Sequence, residues 1–379
     1  MHFREPGNEH KENLYHGTAG AIMGGITGVF EMPNTNPSTT SVESMADKVS
    51  RAEKSAWSNY SFYMGACPEN VDELTKLENV PGCCGVKIFM GSSTGSLLVD
   101  EEALLNLALK NGKRRVAVHC ELESRLIERK DLALKGKPET HPVWRDELTG
   151  LLATQLLVKL ARENNRPIHT LHITTAEEME FLKDQKDIAT VEVLPQHLTL
   201  SAPECYERLG TLAQMNPPIR DKRHQDALWK AVTSGIVDVM ASDHAPHTLE
   251  EKNNNYTNAP SGGPLVQHAL VALMEAHHKG KISVESKLDV GTTFFVEIRL
   301  KKELEIKEDV LNIQPKKSII NLKGKKVLVA DDDILNQTIV CHFLDKENAG
   351  ITIVKDGLEA LTMVIPAFSL SKKCRNYHC

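Results

Sequence analysis

Short apolar runs recur through the first 250 residues, separated by helical patterns, and several of them end in His, Lys or Asp. The runs cover 26–32, 60–64, 85–90, 115–120, 167–173, 190–194 and 236–240, with helical spacing at 15–24, 101–111, 148–164, 176–183 and 265–278. Residues 2–7, HFREPG, read as a strand end and turn with no strand before them, which makes an eighth, truncated member. Eight alternations of strand and helix over about 280 residues predict an α/β fold, a (β/α)8 TIM-type barrel whose first strand is cut short. An open doubly wound sheet is the rival, but no Gly-rich phosphate loop follows the first strand.

Such a barrel gathers strand ends at one mouth, so residues leaving those ends are candidate site residues. The sharpest stretch is 241–252, ASDHAPHTLEEK, where Asp243 can ligate a metal or carry a proton and His247 follows in a Pro-containing loop. His2, Lys87, His119 and His172 stand at other strand ends. Taken singly, each has an ordinary reading: a strand His is usually a satisfied core residue and a lone Lys usually reaches solvent. Together, three imidazoles and a carboxylate suit zinc or a similar divalent ion, and two ions would share a bridging ligand. Lys87 fits that set only if carbon dioxide converts its amine to an anionic carbamate. Cys120 beside His119 should face the other way, by strand alternation, and fill the core.

Composition narrows the partners. The 379-residue chain is 41% hydrophobic and 25% charged with a net charge of -6, and has no basic stripe interleaved with aromatics. That argues against nucleic acid. No apolar run approaches the length of a membrane span and the first residues do not resemble a signal peptide, so the expectation is a cytoplasmic protein without a membrane partner. Eight cysteines without CxxC pairs are expected to stay reduced.

Seven motifs carry a resemblance to the dihydroorotase family of the amidohydrolase superfamily: HFREPG (2–7), GTAGAIMGGITGVFEMPNTNP (17–37), GVKIFMGSSTG (85–95), VHCE (118–121), LHITTAEE (171–178), QMNPPIR (214–220) and SDHAPHTLEEK (242–252). The resemblance implies reversible cyclisation of N-carbamoyl-L-aspartate to L-dihydroorotate in pyrimidine biosynthesis. It implies His2, carboxylated Lys87, His119, His172 and Asp243 as ligands of two zinc ions bridged by Lys87, and Asp243 as the catalytic proton carrier. Arg4, Asn34 and His247 match substrate-carboxylate positions, and Asn216, Ala259 and Gly262 match further substrate contacts. The family carries a His-x-His pair at its first strand, of which this chain has only His2, so weak or absent catalysis is the expectation. A homodimer is compatible with the sequence.

Beyond about residue 280 the character changes. Residues 281–300 resemble the final hairpin of a histidine-kinase ATPase domain, 301–324 read as a charged linker, and 325–379 resemble the first third of a response-regulator receiver. In such a receiver Asp331 and Asp332 would hold Mg2+, but the phospho-acceptor has no counterpart, so no phosphorelay activity is expected. Two functions are therefore in play: a zinc amidohydrolase with an inert extension, or an inactive chimera in which the barrel is a scaffold for two-component signalling fragments. Metal stoichiometry separates them.

Overall fold

The structure is a computed structural model, and it describes residues 1–91, 97–278, 283–287, 291–295, 326–330 and 350–355. The chain divides into two compact units, Met1–Lys301 and Lys302–Cys379.

The first unit is built on a curled sheet of seven strands in sequence order, every neighbouring pair parallel: β1 (Gly28–Glu31), β2 (Asn59–Gly65), β3 (Cys83–Phe89), β4 (Val116–His119), β5 (Ile168–Thr170), β6 (Ala189–Val193) and β7 (Val239–Met240). All seven lie within or across the apolar runs of the sequence. The eighth position is held differently from expectation. No strand forms at residues 1–3, yet the Met1 amine donates to Phe30 O at 3.0 Å, Met32 N donates to Met1 O at 2.8 Å, and His2 N donates to His244 O at 2.6 Å. Residues 1 and 2 thus link the edge of β1 to the segment that follows β7.

Parallel strands covered on both faces should read as continuous apolar runs, and β4 (VAVH) is buried at all four positions while β3 is buried at six of its seven. The covering helices start at residues chosen to satisfy free backbone N–H groups. Asn13, Asp146, Thr175 and Asp221 accept from the first turns of Leu14–Met23, Glu147–Glu163, Ala176–Leu182 and Lys222–Thr233. Ser41 and Ser44 form a reciprocal capping box at Val42–Ser55. The longest helix, Glu147–Glu163, presents Ala153, Leu157, Val158 and Ala161 to the core. Charged groups also hold helix to sheet: buried Lys48 pairs with Glu31 of β1 and donates to Met32 O at 2.9 Å. Near the opposite ends of the strands, buried Arg166 pairs with Glu78 at 2.6 Å.

Beyond the barrel helix Ala269–His278, Ser283–Lys287 pairs antiparallel with Gly291–Phe295. In the second unit Lys326–Ala330 pairs parallel with Gly350–Val354. Asp331 and Asp332 lie outside the described residues. Among the described residues, no helix is long and apolar enough to cross a membrane.

Candidate active site

Every site residue singled out in the barrel sequence lines one cavity of about 1360 Å3 at the strand ends: His2, Arg4, Asn34, Lys87, His119, His172, Asn216, Asp243, His247, Ala259 and Gly262. Strand topology brings them there. Lys87 lies within β3 and His119 ends β4, while His172 and Asp243 follow β5 and β7 by two and three residues.

The five candidate ligands form two pairs and a single amine. His119 Nδ1 lies 3.1 Å from His172 Nε2, with the rings close to perpendicular at 73°. His2 Nε2 lies 3.2 Å from Asp243 Oδ1. Lys87 is 2% exposed, and its only described partner is the face of Phe89, whose ring centre is 4.4 Å from Nζ. Burial draws the Lys87 pKa down to about 7, opposed by the charge of Asp243. Burial likewise lowers His2 to about 4 and takes His172 well below its usual value. Burial pushes Asp243 upward, but the contact with His2 and nearby positive charge hold it well below the usual carboxylate range. At neutral pH the set is therefore neutral imidazoles, a carboxylate and a partly neutral amine, the forms that bind a cation.

Three of these residues sit where side chains are rarely found. Arg4, His172 and Asp243 have φ of 65°, 40° and 41°. The left-handed region costs a residue with a Cβ about 1–2 kcal/mol, and such conformations gather at functional sites. All three line the cavity.

Supporting contacts fix the rings. Asn34 Oδ1 accepts from His2 Nδ1 at 2.6 Å, which leaves Nε2 of His2 to face Asp243. Glu121 Oε2 accepts from His119 Nε2 at 2.7 Å, which leaves Nδ1 to face His172. Glu121 is itself gripped by Arg145, at 3.0 and 2.6 Å, and both are buried. Burial pushes the Glu121 pKa upward, and Arg145 together with His119 more than reverses that. A carboxylate behind a ligating imidazole is the arrangement that orients metal ligands. The VHCE motif contains Glu121, and period-two alternation puts it on the face of His119, the one signal in the sequence that marks it as a support. Cys120 is buried in the core as alternation required.

Arg4 lines the same cavity, within reach of the charge of Asp243. Arg4 Nε donates to Pro246 O at 3.0 Å, and its Nη2 lies 3.0 Å from His247 Nε2, with no carboxylate paired to the guanidinium among the described residues. Lys11 Nζ lies 3.2 Å from His247 Nδ1 and pairs with Glu251 at 2.9 Å, and His247 Nε2 lies 3.1 Å from Ser261 O. Asn216 Oδ1 accepts from His141 Nε2 at 3.0 Å, a partner the sequence did not single out. Gly262 has φ of 130°, and a Cβ there would come within 2.6 Å of Ala245 O.

Among the described residues, no three His, Cys, Asp or Glu side chains already stand as a ready metal cluster. The donors come instead as the two pairs, with Lys87 as a fifth. Their chemistry fits a pair of borderline divalent cations: every pair joins ligating atoms, and the far nitrogens of His2 and His119 are occupied by supporting acceptors.

A parallel barrel with imidazole, carboxylate and lysine groups at its strand ends, and an arginine lining the same cavity, defines a TIM-type amidohydrolase. The dihydroorotase of Halobacterium salinarum is 32% identical over 292 residues, covering 76% of this chain and 68% of the relative. That of Methanosarcina mazei is 32% identical over 328 residues, covering 82% and 71%. This chain belongs to the dihydroorotase family, whose members are hydrolases acting on cyclic amide C–N bonds. No protein-family model matches the sequence. Among solved structures, the L-hydantoinase (dihydropyrimidinase) of Arthrobacter aurescens shares the fold with a TM-score of 0.70 at 22% identity, covering 74% of this chain and 65% of its own. The dihydropyrimidinase of Brevibacillus agri gives 0.64 at 25% identity, covering 72% and 63%. The chain thus spans about two thirds of the length of the proteins it matches.

Proposed function

We propose that the barrel catalyses the reversible hydrolysis of L-dihydroorotate to N-carbamoyl-L-aspartate. The observation that carries this reading is the convergence of the His2–Asp243 and His119–His172 pairs and the buried Lys87 amine on one cavity, together with an Arg4 guanidinium that pairs with no carboxylate among the described residues. A diacid-derived ring with an exocyclic carboxylate matches that polarity: its amide faces the ligand pairs and its carboxylate faces Arg4.

The neutral fraction of Lys87 attacks carbon dioxide through its amine lone pair, forms an N–C bond and loses a proton to solvent, leaving an anionic carbamate. That carbamate and Asp243 would hold the cations together with His2, His119 and His172. Two zinc ions bound there supply a lowered pKa for the attacking water and polarisation of the ring carbonyl. Asp243 accepts the proton of the water and delivers it to the ring nitrogen as the C–N bond breaks. Arg4 binds the substrate carboxylate through charge-assisted hydrogen bonds, joined by the Asn34 amide N–H2, whose oxygen is held by His2, and by His247. Asn216 and the loop with Ala259 and Gly262 bound the ring.

We further read 281–300 and 325–379 as fragments similar to a histidine-kinase ATPase hairpin and the start of a receiver. The antiparallel pair at 283–295 and the parallel pair of 326–330 with 350–354 are compatible with this.

Elemental analysis of the purified chain, beside an assay of dihydroorotate hydrolysis, tests the function. Close to two zinc ions per chain is the expected result, with turnover weakened by the loss of the first His of the His-x-His pair. A chain that takes up zinc yet leaves dihydroorotate intact would refute the substrate assignment, and one that holds no metal and shows no turnover would refute the enzyme.

A further inference from the structure

Lys252 closes the DHAPHTLEEK stretch, and no part of the mechanism above uses it. It is 5% exposed, and no carboxylate among the described residues pairs with it. Its Nζ donates to three backbone carbonyls from two separate segments: Gln214 O at 3.0 Å, Pro260 O at 2.9 Å and Gly262 O at 2.9 Å. An ammonium has three N–H donors, and all three are used. Burial draws its pKa down only to about 8, so the charge and the third donor remain at neutral pH.

The segments it joins carry different parts of the recess. Gln214 precedes Asn216 by two residues, and Pro260 and Gly262 belong to the loop of Ala259. Gln214 adds its own links across the same gap, donating to Ala259 O at 2.8 Å and Ser261 Oγ at 3.1 Å. Ser261 O in turn lies 3.1 Å from His247 Nε2. Lys252 is anchored in its place by the Thr248–Glu251 capping box and by Thr211, whose hydroxyl donates to Lys252 O at 2.6 Å.

We propose that Lys252 is a positioning residue for substrate, whose buried ammonium sets the spacing between the Asn216 segment and the 259–263 loop and so shapes the side of the pocket that receives the ring. The inference rests on the function proposed above. Lys252 touches neither the ligand pairs nor Asp243, so its loss acts on binding before chemistry.

The test compares the full-length zinc-loaded chain with Lys252→Met and Lys252→Gln. Two readouts are taken: KM and kcat for dihydroorotate, and amide hydrogen exchange across 259–263 without substrate. The expected result for Lys252→Met is a KM raised about tenfold or more, kcat within about threefold, and faster exchange in the loop. Lys252→Gln, which keeps one amine-like donor group, should fall between; it also serves if the methionine variant does not fold. Unchanged exchange overturns the proposal, as does faster exchange with unchanged KM, or a loss confined to kcat. If the unaltered chain does not hydrolyse dihydroorotate, the substrate assignment fails, while the exchange readout still supports or overturns the bracing of the loop by Lys252.

Discussion

Asp243 shows how much one side chain is asked to do. It must be ionised, face His2 and occupy a left-handed backbone position. Asn tolerates that backbone and nearly matches the shape, so Asp243→Asn is expected to keep the fold while turnover falls by about 10²- to 10⁴-fold, as loss of a general acid–base group does. Circular dichroism beside the kinetic assay checks both halves. Glu121→Gln acts one bond further out. It removes the charge behind His119 and leaves Arg145 buried without its counter-ion, and zinc affinity should fall about 10- to 100-fold in a competition titration with a chelator. The ligands were legible in the sequence because strand ends mark them. Arg145 and His141 were not, since both belong to the stretch between β4 and the helix Glu147–Glu163, which carries short helices and no period to say which side chains turn inward. Gln214 and Lys252 stood inside recognised motifs, but donors to backbone carbonyls leave no pattern at all, because any residue can supply the carbonyl.

At the level of elements, the strands were readable because both faces are covered and their apolar runs are continuous. The eighth position was read as a strand end, and it is met instead by two residues bonded to both sides of the gap. Helix starts were the other legible signal. Asp146 caps Glu147–Glu163 by accepting from Thr149 N at 3.0 Å, and it also receives Arg125 Nε at 2.9 Å. Burial pushes its pKa upward, but the Arg125 and Thr149 hydrogen bonds draw it down to about 2, from 3.8. A folded-state pKa below the unfolded one means stability that is present above about pH 4 and lost as pH falls toward 2. Asp146→Ala should therefore lower the melting temperature at neutral pH, by about 1–2 kcal/mol of stability. The gap between variant and parent should narrow across that acid window. A gap that stays constant from pH 6 to pH 2 would show that the carboxylate charge is not what stabilises this helix.

For the molecule as a whole, the candidate site lies within Met1–Lys301, one of the two compact units. A chain ended after Lys301 is expected to bind the same number of zinc ions as the full-length protein and to give the same kcat. A truncated chain that unfolds or loses metal would mean that the second unit is needed for the first. Fold class and mouth of the barrel were legible at this scale because they depend on repetition over about 280 residues, which survives local ambiguity. Residues 4, 172 and 243 set a different limit. A glycine at any of the three would relax the backbone, since glycine enters positive φ without penalty. A library of variants sorted for heat resistance alone would thus drift toward glycine at those positions and erase the recess it was meant to preserve. Directed evolution of this barrel needs a selection for ligand capture in the same round, because at these three places durability and usefulness pull in opposite directions.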